Sequence, residues 1–309
     1  MASMVGVLCA RVRVEEKQML QALAEAGVPT RLLPPADAPL PIGPVPTKPS
    51  AAALAVVDGE STAAVVIDRC QNRTVASSVL PVRRALGVTV LDAGIAATGT
   101  RAEVAAALVA AGIPRPATFL VTSEAAGLAA LEAVGYPATY LPLTPGSSEI
   151  ALLDRDTAEA VFEHRGTLGG SSAAIGILQA GSTFDRGRVS VIVVDGHGVA
   201  IHDPAGQARY TARFVGVAEA AAKALGASIV GIELLATPAG PIVWDVNPVP
   251  EFRDAAPLAE NSVAEAIAGL AASHVLTGAA IVTQLSLDHE VDLGASLARE
   301  VANGVALSA

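Results

Sequence analysis

The sequence predicts an α/β protein with a parallel sheet in its N-terminal part and a strand-rich C-terminal part. From residue 4 to residue 92, short apolar runs alternate with stretches of helical periodicity, which is typical of parallel strands joined by crossover helices. From about residue 175 the strands follow one another closely, which predicts a mixed sheet. The chain has 309 residues, of which 52% are hydrophobic and 16% charged, so it can bury a large core.

The N-terminal part predicts strands separated by two helices. The first helix, over 15–26, shows apolar periodicity and stops at Gly27. A loop dense in proline, over 34–49, can be neither a helix nor a central strand, because proline lacks the backbone N–H. The predicted strands are 4–9, 30–34, 63–69 and 88–92, and the second helix covers 75–86.

The rest of the chain predicts a helix-containing middle section and then strands. Ser123 is a typical N-cap for the helix over 124–134, which ends at Gly135. The other predicted helices are 101–111, 154–165, 217–225 and a tail beyond 262; the predicted strands are 117–123, 136–143, 174–180, 188–203 and the hairpin over 228–247.

The hairpin carries an unusual set of polar residues. If its loop consists of Pro238, Ala239 and Gly240, with Gly240 supplying a positive φ, Glu233 lies directly opposite Asp245. Because side chains alternate between the faces of a strand, Glu233, Asp245 and Asn247 then share one face. A two-residue loop would break this arrangement, and we prefer the three-residue loop.

Two opposed carboxylates repel each other, and burying them is costly without a cation. Carboxylate and amide oxygens suit Mg²⁺, so Glu233, Asp245 and Asn247 are candidate metal ligands. The alternative is a solvated face, or acids that pair with nearby arginines.

Composition excludes several classes of protein. The net charge is −10 and no Lys/Arg-rich run occurs, so we expect no nucleic-acid partner. Two cysteines are too few for a disulfide framework, and the first residues lack the pattern of a signal peptide, so we expect a cytoplasmic protein. The apolar stretch 267–282 is shorter than the roughly 20 residues of a membrane span, so we expect no membrane partner.

Several segments together resemble the ATP-grasp enzymes. The hairpin "GIELL…IVWDVNPVPEF" is similar to the metal-binding hairpin of the LysX-type ligases of lysine and arginine biosynthesis and of the RimK-like ribosomal-protein glutamate ligases. The segments "GVLCARVRVEEKQMLQAL", "VVIDRCQNRTVASSVLPVRRALGVTVLD", "ATGTRAEVAAALVAAGIPRPATFLV", "ALEAVGYPATYLPL" and "DRDTAEAVFEHRGTLGG" resemble further parts of this family in the same order. The resemblance covers about residues 4–266 and leaves the C-terminal tail outside.

The resemblance implies a three-part architecture and an activity. The enzymes activate a carboxylate as an acyl phosphate with ATP and let an amine attack it, and the chemistry depends on positioning, cations and Mg²⁺. The implied domains are an N-terminal α/β domain over 1–92, a central ATP-grasp subdomain over 93–174, a C-terminal subdomain with the metal hairpin over 175–270 and a helical extension over 271–309.

The resemblance also implies roles for particular residues. Arg101 stands where the family has a phosphate-contacting Lys, and Arg keeps the charge but changes its geometry. The implied metal ligands are Glu233, Asp245 and Asn247; the implied ATP-binding residues are Arg101, Gln179 and Arg186; the implied catalytic residues are Arg188 and Arg253; and Glu251 and Phe252 match a segment near the substrate.

Candidate substrate-binding residues lie at the edge of the predicted parallel sheet. Arg11, Asn72 and Arg73 flank the carboxyl edge of the predicted parallel sheet, where they either bind a substrate carboxylate or are ordinary solvated loop residues. The family implies a small amino-acid-like substrate of amino-acid biosynthesis, and whether an acidic carrier protein presents it stays open. The family also implies a homo-oligomer, for which the apolar tail over 263–287 is the candidate interface.

Four positions depart from the family pattern. Leu141 stands where the family has a Lys that contacts the ATP phosphates, Ser190 stands where it has an Arg, and Gln179 is followed by Ala180 instead of Glu. The lid loop is shortened to "TPGSSE", where we expect Glu149 to repel ATP. Two hypotheses follow: an ATP-dependent carboxylate–amine ligase with a substituted phosphate cradle, or a catalytically inactive homologue that serves as a partner subunit or ligand-binding scaffold.

Overall fold

The computed structural model describes residues 4–35, 40, 42, 63–168, 173, 175–181, 187–208 and 211–276. Most of the predicted proline-dense loop and the tail beyond residue 276 lie outside these residues, as does Arg186. No helix in the described part of the chain is long and apolar enough to cross a membrane.

The N-terminal part forms the predicted parallel sheet. Its strand order is β2-β1-β3-β4, and every pair in it is parallel. The order places β1 and β3 at the centre, so the chain segments that follow both strands emerge at one edge of the sheet. The elements are β1 (Met4–Leu8), α1 (Val14–Glu25), β2 (Thr30–Leu33), β3 (Ala63–Asp68), α2 (Arg73–Ala85) and β4 (Thr89–Leu91).

The middle of the chain forms an antiparallel sheet with strand order β5-β8-β6-β7. We call this sheet and the two helices packed on it, α5 and α6, the central lobe. Two short helices, α3 (Ile95–Thr98) and α4 (Arg101–Ala110), lead into it. Its elements are β5 (Thr118–Val121), α5 (Glu124–Val134), β6 (Ala138–Pro142), β7 (Ile150–Leu152), α6 (Arg155–Leu168) and β8 (Gly176–Ala180).

The C-terminal part forms a five-stranded sheet with the order β12-β11-β9-β10-β13. We call this sheet, together with α7 and α8, the C-terminal lobe. The helix predicted over 217–225 begins earlier, at Thr211, because the apolar face continues through the buried Phe214. The elements are β9 (Val189–Val194), β10 (His197–His202), α7 (Thr211–Leu225), β11 (Ile229–Thr237), β12 (Gly240–Asn247), β13 (Ala256–Pro257) and a helix α8 over 263–276.

The cores divide the described chain into two bodies. One buried cluster joins Val66 and Leu80 of the N-terminal part to Phe214 and Val230 of the C-terminal lobe. The central lobe has a separate cluster around the edge-to-face pair Tyr140 and Phe162, whose ring centroids lie 5.8 Å apart. The N-terminal part and the C-terminal lobe therefore share a core, and the central lobe packs beside them. The predicted α/β class is confirmed; the predicted domain boundaries remain a prediction.

Two helical glycines of the central lobe differ in the space around them. A Cβ at Gly127 in α5 would come within 2.5 Å of the Phe162 ring, whereas one at Gly166 in α6 would meet nothing within 4 Å. We expect Gly127→Ala to destabilise the protein by about 1–3 kcal/mol through overpacking. Gly166→Ala is the matched control and should stabilise it by about 0.5–1 kcal/mol, because Ala has the better helix propensity. Urea unfolding of the two variants checks this, and equal effects would contradict the packing.

Candidate functional site

The predicted pairing of the two hairpin acids is correct, but the predicted loop is wrong. Thr237 pairs with Gly240, so the loop has two residues, and Gly240 has a φ of 127°. The register then shifts by one residue between Glu233 and Leu234, which leaves Trp244 as the extra residue of a β-bulge. Beyond the bulge Glu233 lies opposite Asp245, as the sequence predicts.

Arg101 holds Asp245 in a two-point ion pair. Its Nη2 lies 2.7 Å from Oδ2 and its Nε 3.2 Å from Oδ1. The same guanidinium donates to the carbonyls of Pro142, at 2.8 Å, and Ser147, at 2.7 Å. Arg101 is the first residue of α4, whose N-cap is Thr100, so the helix start aims this side chain into the space between the two lobes. The cation implied for the ATP phosphates thus contacts a predicted metal ligand.

Arg188 bridges Glu233, a second predicted metal ligand, and the shortened lid loop. Its Nη1 lies 2.6 Å from Oε2 of Glu233, and its Nη2 lies 2.6 Å from Oε1 of Glu149. Burial raises the pKa of Glu233, and the charge of Arg188 opposes this effect. The acids of the hairpin therefore pair with arginines, which is the alternative that the sequence left open.

Glu149 has a role that the sequence did not predict. Besides its ion pair with Arg188, its Oε2 accepts a hydrogen bond of 3.0 Å from the indole Nε1 of Trp244. The bulge places Trp244 in contact with the lid loop, and only 1% of this residue is exposed. The Glu149 carboxylate therefore joins the lid loop to the hairpin, and the expectation that it repels ATP stays a prediction.

Gln179 lies deep between the lobes. It is fully buried, its Nε2 donates to the carbonyl of Trp244 at 3.3 Å, and its Oε1 accepts from Nη2 of Arg115 at 3.2 Å. Burial lowers the pKa of Arg115 and the charge of Asp245 raises it, so this guanidinium lies within electrostatic reach of the acids. Leu141, at the position of the family's Lys, is also buried.

The hairpin acids and their arginine partners, Arg101 and Arg188, border a polar cavity of about 830 Å³ between the lobes and the edge of the parallel sheet. Three predicted site residues, Arg11, Gln179 and Phe252, do not line it. The predicted residues that do line it are Asn72, Arg73, Arg101, Arg188, Glu233, Asp245, Asn247, Glu251 and Arg253. The hairpin and the sheet edge thus face one space.

The sheet-edge residues carry structural contacts of their own. Asn72 caps α2 by accepting from the Val75 N–H. Arg73 is buried, lies 2.9 Å from Asp68, and donates to two backbone carbonyls. Arg11 is exposed and outside the cavity lining, which fits the solvated-loop alternative. Asn72 and Arg73 therefore present their cavity-facing atoms from fixed positions.

A buried network that the sequence did not reveal anchors the segment after the hairpin. Arg69 is fully buried, lies 2.8 Å from Glu16 and donates to the Pro250 carbonyl at 2.9 Å. Its guanidinium lies 5.5 Å from the centroid of the Phe252 ring. Arg13 completes the network through ion pairs with Glu16, at 2.9 Å, and with Glu251, at 3.2 Å. Phe252, predicted as a substrate residue, thus packs in the core.

The side-chain oxygens of the hairpin are of the kind that bind a hard divalent cation. Two opposed carboxylates and one amide oxygen are the oxygen donors that Mg²⁺ takes, although Arg101 and Arg188 already give the two acids cationic partners. The described residues contain no group of three or more His, Cys, Asp and Glu side chains placed to hold a metal ion, so metal binding would depend on these two acids, on Asn247 and on ligand oxygens. Asn247 Oδ1 already accepts from the Val249 N–H at 3.0 Å, which fixes its orientation.

The phosphate side fits a nucleotide less well. Among the cavity-lining residues the positive charges are arginines, and the position of the family's Lys is the buried Leu141. Arg101 and Arg188 are the cations placed to meet phosphate oxygens, because both line the cavity.

The fold has close counterparts among solved structures, although no family model matches the sequence. The RimK domain protein ATP-grasp from Sphaerobacter thermophilus DSM 20745 is 28% identical, with a TM-score of 0.67 over 86% of this chain and 98% of that chain. The ATP-grasp ligase PsnB, solved with precursor peptide PsnA2 and AMPPNP, is 18% identical, with a TM-score of 0.60 over 89% and 98% of the two chains. D-alanine–D-alanine ligase from Bacillus anthracis is 15% identical, with a TM-score of 0.56 over 92% and 100%. The chain therefore has the ATP-grasp fold and resembles RimK-like proteins.

The buried network makes a prediction about acid stability. Burial raises the pKa of Glu16, but hydrogen bonds from Arg13 and the charge of Arg69 outweigh it and lower the pKa from 4.5 to about 2. Stability from this carboxylate is therefore complete above pH 4.5 and is lost as the pH falls towards 2. We expect Glu16→Gln to lose about 3 kcal/mol at pH 7, and to lose less further stability than the wild type between pH 5 and pH 3.

Urea unfolding across this pH range measures the effect of Glu16→Gln. Glu159→Gln is the matched control, because Glu159 pairs with Arg155 on the exposed face of α6, where an ion pair adds little. Parallel pH profiles of wild type and Glu16→Gln would contradict the prediction.

Proposed function

We propose that this protein is an ATP-dependent carboxylate–amine ligase of the LysX/RimK-like type. The observation that carries the proposal is the opposed pair Glu233 and Asp245, with Asn247 on the same strand, facing a cavity that also borders the carboxyl edge of the parallel sheet. One cavity thus adjoins both a set of metal-type oxygen donors and the edge where open α/β sheets bind small ligands. The ATP-grasp fold of the chain supports the same class of reaction.

Each group of residues has a role in this proposal. Glu233, Asp245 and Asn247 would hold Mg²⁺, which supplies charge neutralisation for phosphoryl transfer when it is bound. Arg101 and Arg188 would hold phosphate oxygens, and Arg253, exposed at the cavity wall, would hold a carboxylate of the reacting substrate. Asn72 and Arg73 would orient a small amino-acid-like substrate from the sheet edge.

The proposal includes the cellular location and the oligomeric state of the protein. A cytoplasmic location, a place in amino-acid biosynthesis and a homo-oligomer follow from the resemblance to the LysX-type and RimK-like enzymes. The apolar residues of α8, such as Ile267 and Ala271, pack into the core of the chain, and the rest of the tail that the sequence predicts as an interface lies outside the described residues. Gel filtration with light scattering tests the assembly directly.

A second function is favoured by a different observation. Gln179 and Leu141, at two positions where the family resemblance implies contacts with the nucleotide, are buried and do not line the cavity. A homologue that has lost nucleotide binding would keep the fold and serve as a partner subunit or scaffold. The arginine pairs support this candidate too, since they remove the electrostatic cost that two bare acids would otherwise impose.

Calorimetric titration with AMPPNP separates the two candidates. The ligase proposal predicts Mg²⁺-dependent binding with a Kd on the order of micromolar. Asp245→Ala should weaken this binding by more than about tenfold, because even outer-shell partners of metal ligands are worth about 10- to 100-fold in affinity. Asp156→Asn, on the exposed first turn of α6, is the control and should leave binding unchanged.

The two results lead in different directions. Binding that needs Mg²⁺ and Asp245 supports the ligase, and a screen of amino-acid carboxylates for ADP release follows. If millimolar AMPPNP fails to bind with Mg²⁺ present, the ligase proposal is wrong and the scaffold candidate stands.

A further inference from the structure

The charged groups around the hairpin form a balanced cluster. Three carboxylates, those of Glu149, Glu233 and Asp245, meet the guanidinium groups of Arg101 and Arg188 in ion pairs of 2.6–2.7 Å. Arg115 adds a third guanidinium, since its charge acts on that of Asp245. The protein therefore supplies as many positive as negative charges at this place.

Either ion of a metal–nucleotide complex alone would disturb this balance. A metal ion on Glu233 and Asp245 displaces Arg188 and Arg101, and the Arg101 side chain is only 5% exposed, so its charge would be left buried without a partner. A polyphosphate alone draws the same arginines away and leaves two opposed carboxylates bare. Each ion by itself therefore leaves charged groups of the protein without an ionic partner.

We propose that the site binds the metal and the polyphosphate together through an exchange of partners, and that Arg101 and Arg188 set this specificity. The carboxylates of Glu233 and Asp245 pass from the arginines to the metal, and the arginines pass from the carboxylates to the phosphate oxygens. This inference rests on the proposed ligase function, and it concerns how the site selects its ligand. The number of opposite-charge contacts is conserved only when both ions enter.

The positions of the two arginines suit the exchange. Both line the cavity as well as contacting a hairpin acid, so a change of side-chain conformation, without movement of a strand, brings either guanidinium to a ligand in the cavity. Arg101 would keep the bond from its Nη1 to the Pro142 carbonyl, at 2.8 Å, as a pivot.

Arg115 lies beside the cluster without lining the cavity. Its Nε is buried without a hydrogen-bond partner, while its Nη2 contacts Gln179. A buried guanidinium N–H without an acceptor is costly, and a phosphate oxygen in the cavity would satisfy it only if the Arg115 side chain turned towards the cavity. The cluster thus holds donor capacity that the described residues leave unused.

The inference predicts strong positive coupling between the two ions. In the wild type we expect Mn²⁺ alone, followed by electron paramagnetic resonance, and AMPPNP alone, titrated in EDTA, each to bind at least about tenfold more weakly than in the presence of the other, within the usual range of coupling between two sites. Titration of AMPPNP at several Mg²⁺ concentrations gives the same coupling from the other side.

Two variants should each raise the affinity for one of the two ions when that ion is added alone. Arg188→Gln removes the partner of Glu233, so Mn²⁺ alone should bind more tightly than to the wild type. Asp245→Asn releases Arg101, so AMPPNP in EDTA should bind more tightly while Mn²⁺ binding is lost. Arg188 is about one-third exposed, so Arg188→Gln is the variant expected to fold without difficulty. Arg155→Gln, which breaks an exposed Arg–Glu pair on α6, is the matched control.

The outcomes separate this inference from the proposed function. Coupling of about tenfold or more, reduced in Arg188→Gln and unchanged in Arg155→Gln, supports the exchange. Joint binding of Mg²⁺ and AMPPNP with coupling below about twofold overturns the exchange and leaves the ligase proposal standing. If AMPPNP binds neither with Mg²⁺ nor without it, the ligase proposal and the exchange fail together.

Discussion

The pairing of Arg101 with Asp245 is the interaction on which the geometry of the site depends. One guanidinium joins the start of α4, the end of β6, the lid loop and β12, because it contacts Pro142, Ser147 and Asp245 at once. A buried charge is tolerable only when it is paired and hydrogen-bonded, so these elements cannot separate without exposing or orphaning it. The central lobe is thereby held against the hairpin, although the two have separate hydrophobic cores.

A second buried cation fixes the opposite wall of the cavity. Arg69 connects the end of β3 to the segment after the hairpin, through the Pro250 carbonyl and the Phe252 ring. Glu16 neutralises it from α1, so the N-terminal helix, the parallel sheet and the C-terminal lobe meet at one ion pair. Side chains at the cavity wall, such as Glu251, owe their position to charges that lie outside the cavity.

Much of the fold follows from local patterns in the sequence. The alternation of apolar runs and helical periodicity predicts the parallel sheet, and caps such as Ser123 mark helix starts to within a residue. The pairing of Glu233 with Asp245 is predictable because strand alternation places acids on one face. The partners of those acids are not, since Arg101 lies 144 residues from Asp245 and Arg188 lies 45 from Glu233. Nothing local to "PRP" indicates that Arg115 turns inward, and a bulge has no reliable sequence sign when the extra residue is a tryptophan.

The bulge at Trp244 shows where the hairpin can vary in length. A three-residue turn without a bulge and a two-residue turn with one both bring Glu233 opposite Asp245, because the bulge takes up the extra residue that the longer turn would hold. The opposition of the two acids is therefore indifferent to where the extra residue sits along the hairpin. Deleting Trp244 would make the pairs Leu234–Val243 and Glu233–Asp245 neighbours in a regular ladder, so Asp245 would still lie opposite Glu233, and moving the extra residue from strand to turn would preserve the pair as well. Comparison of related hairpins should therefore align the two acids before aligning their turns.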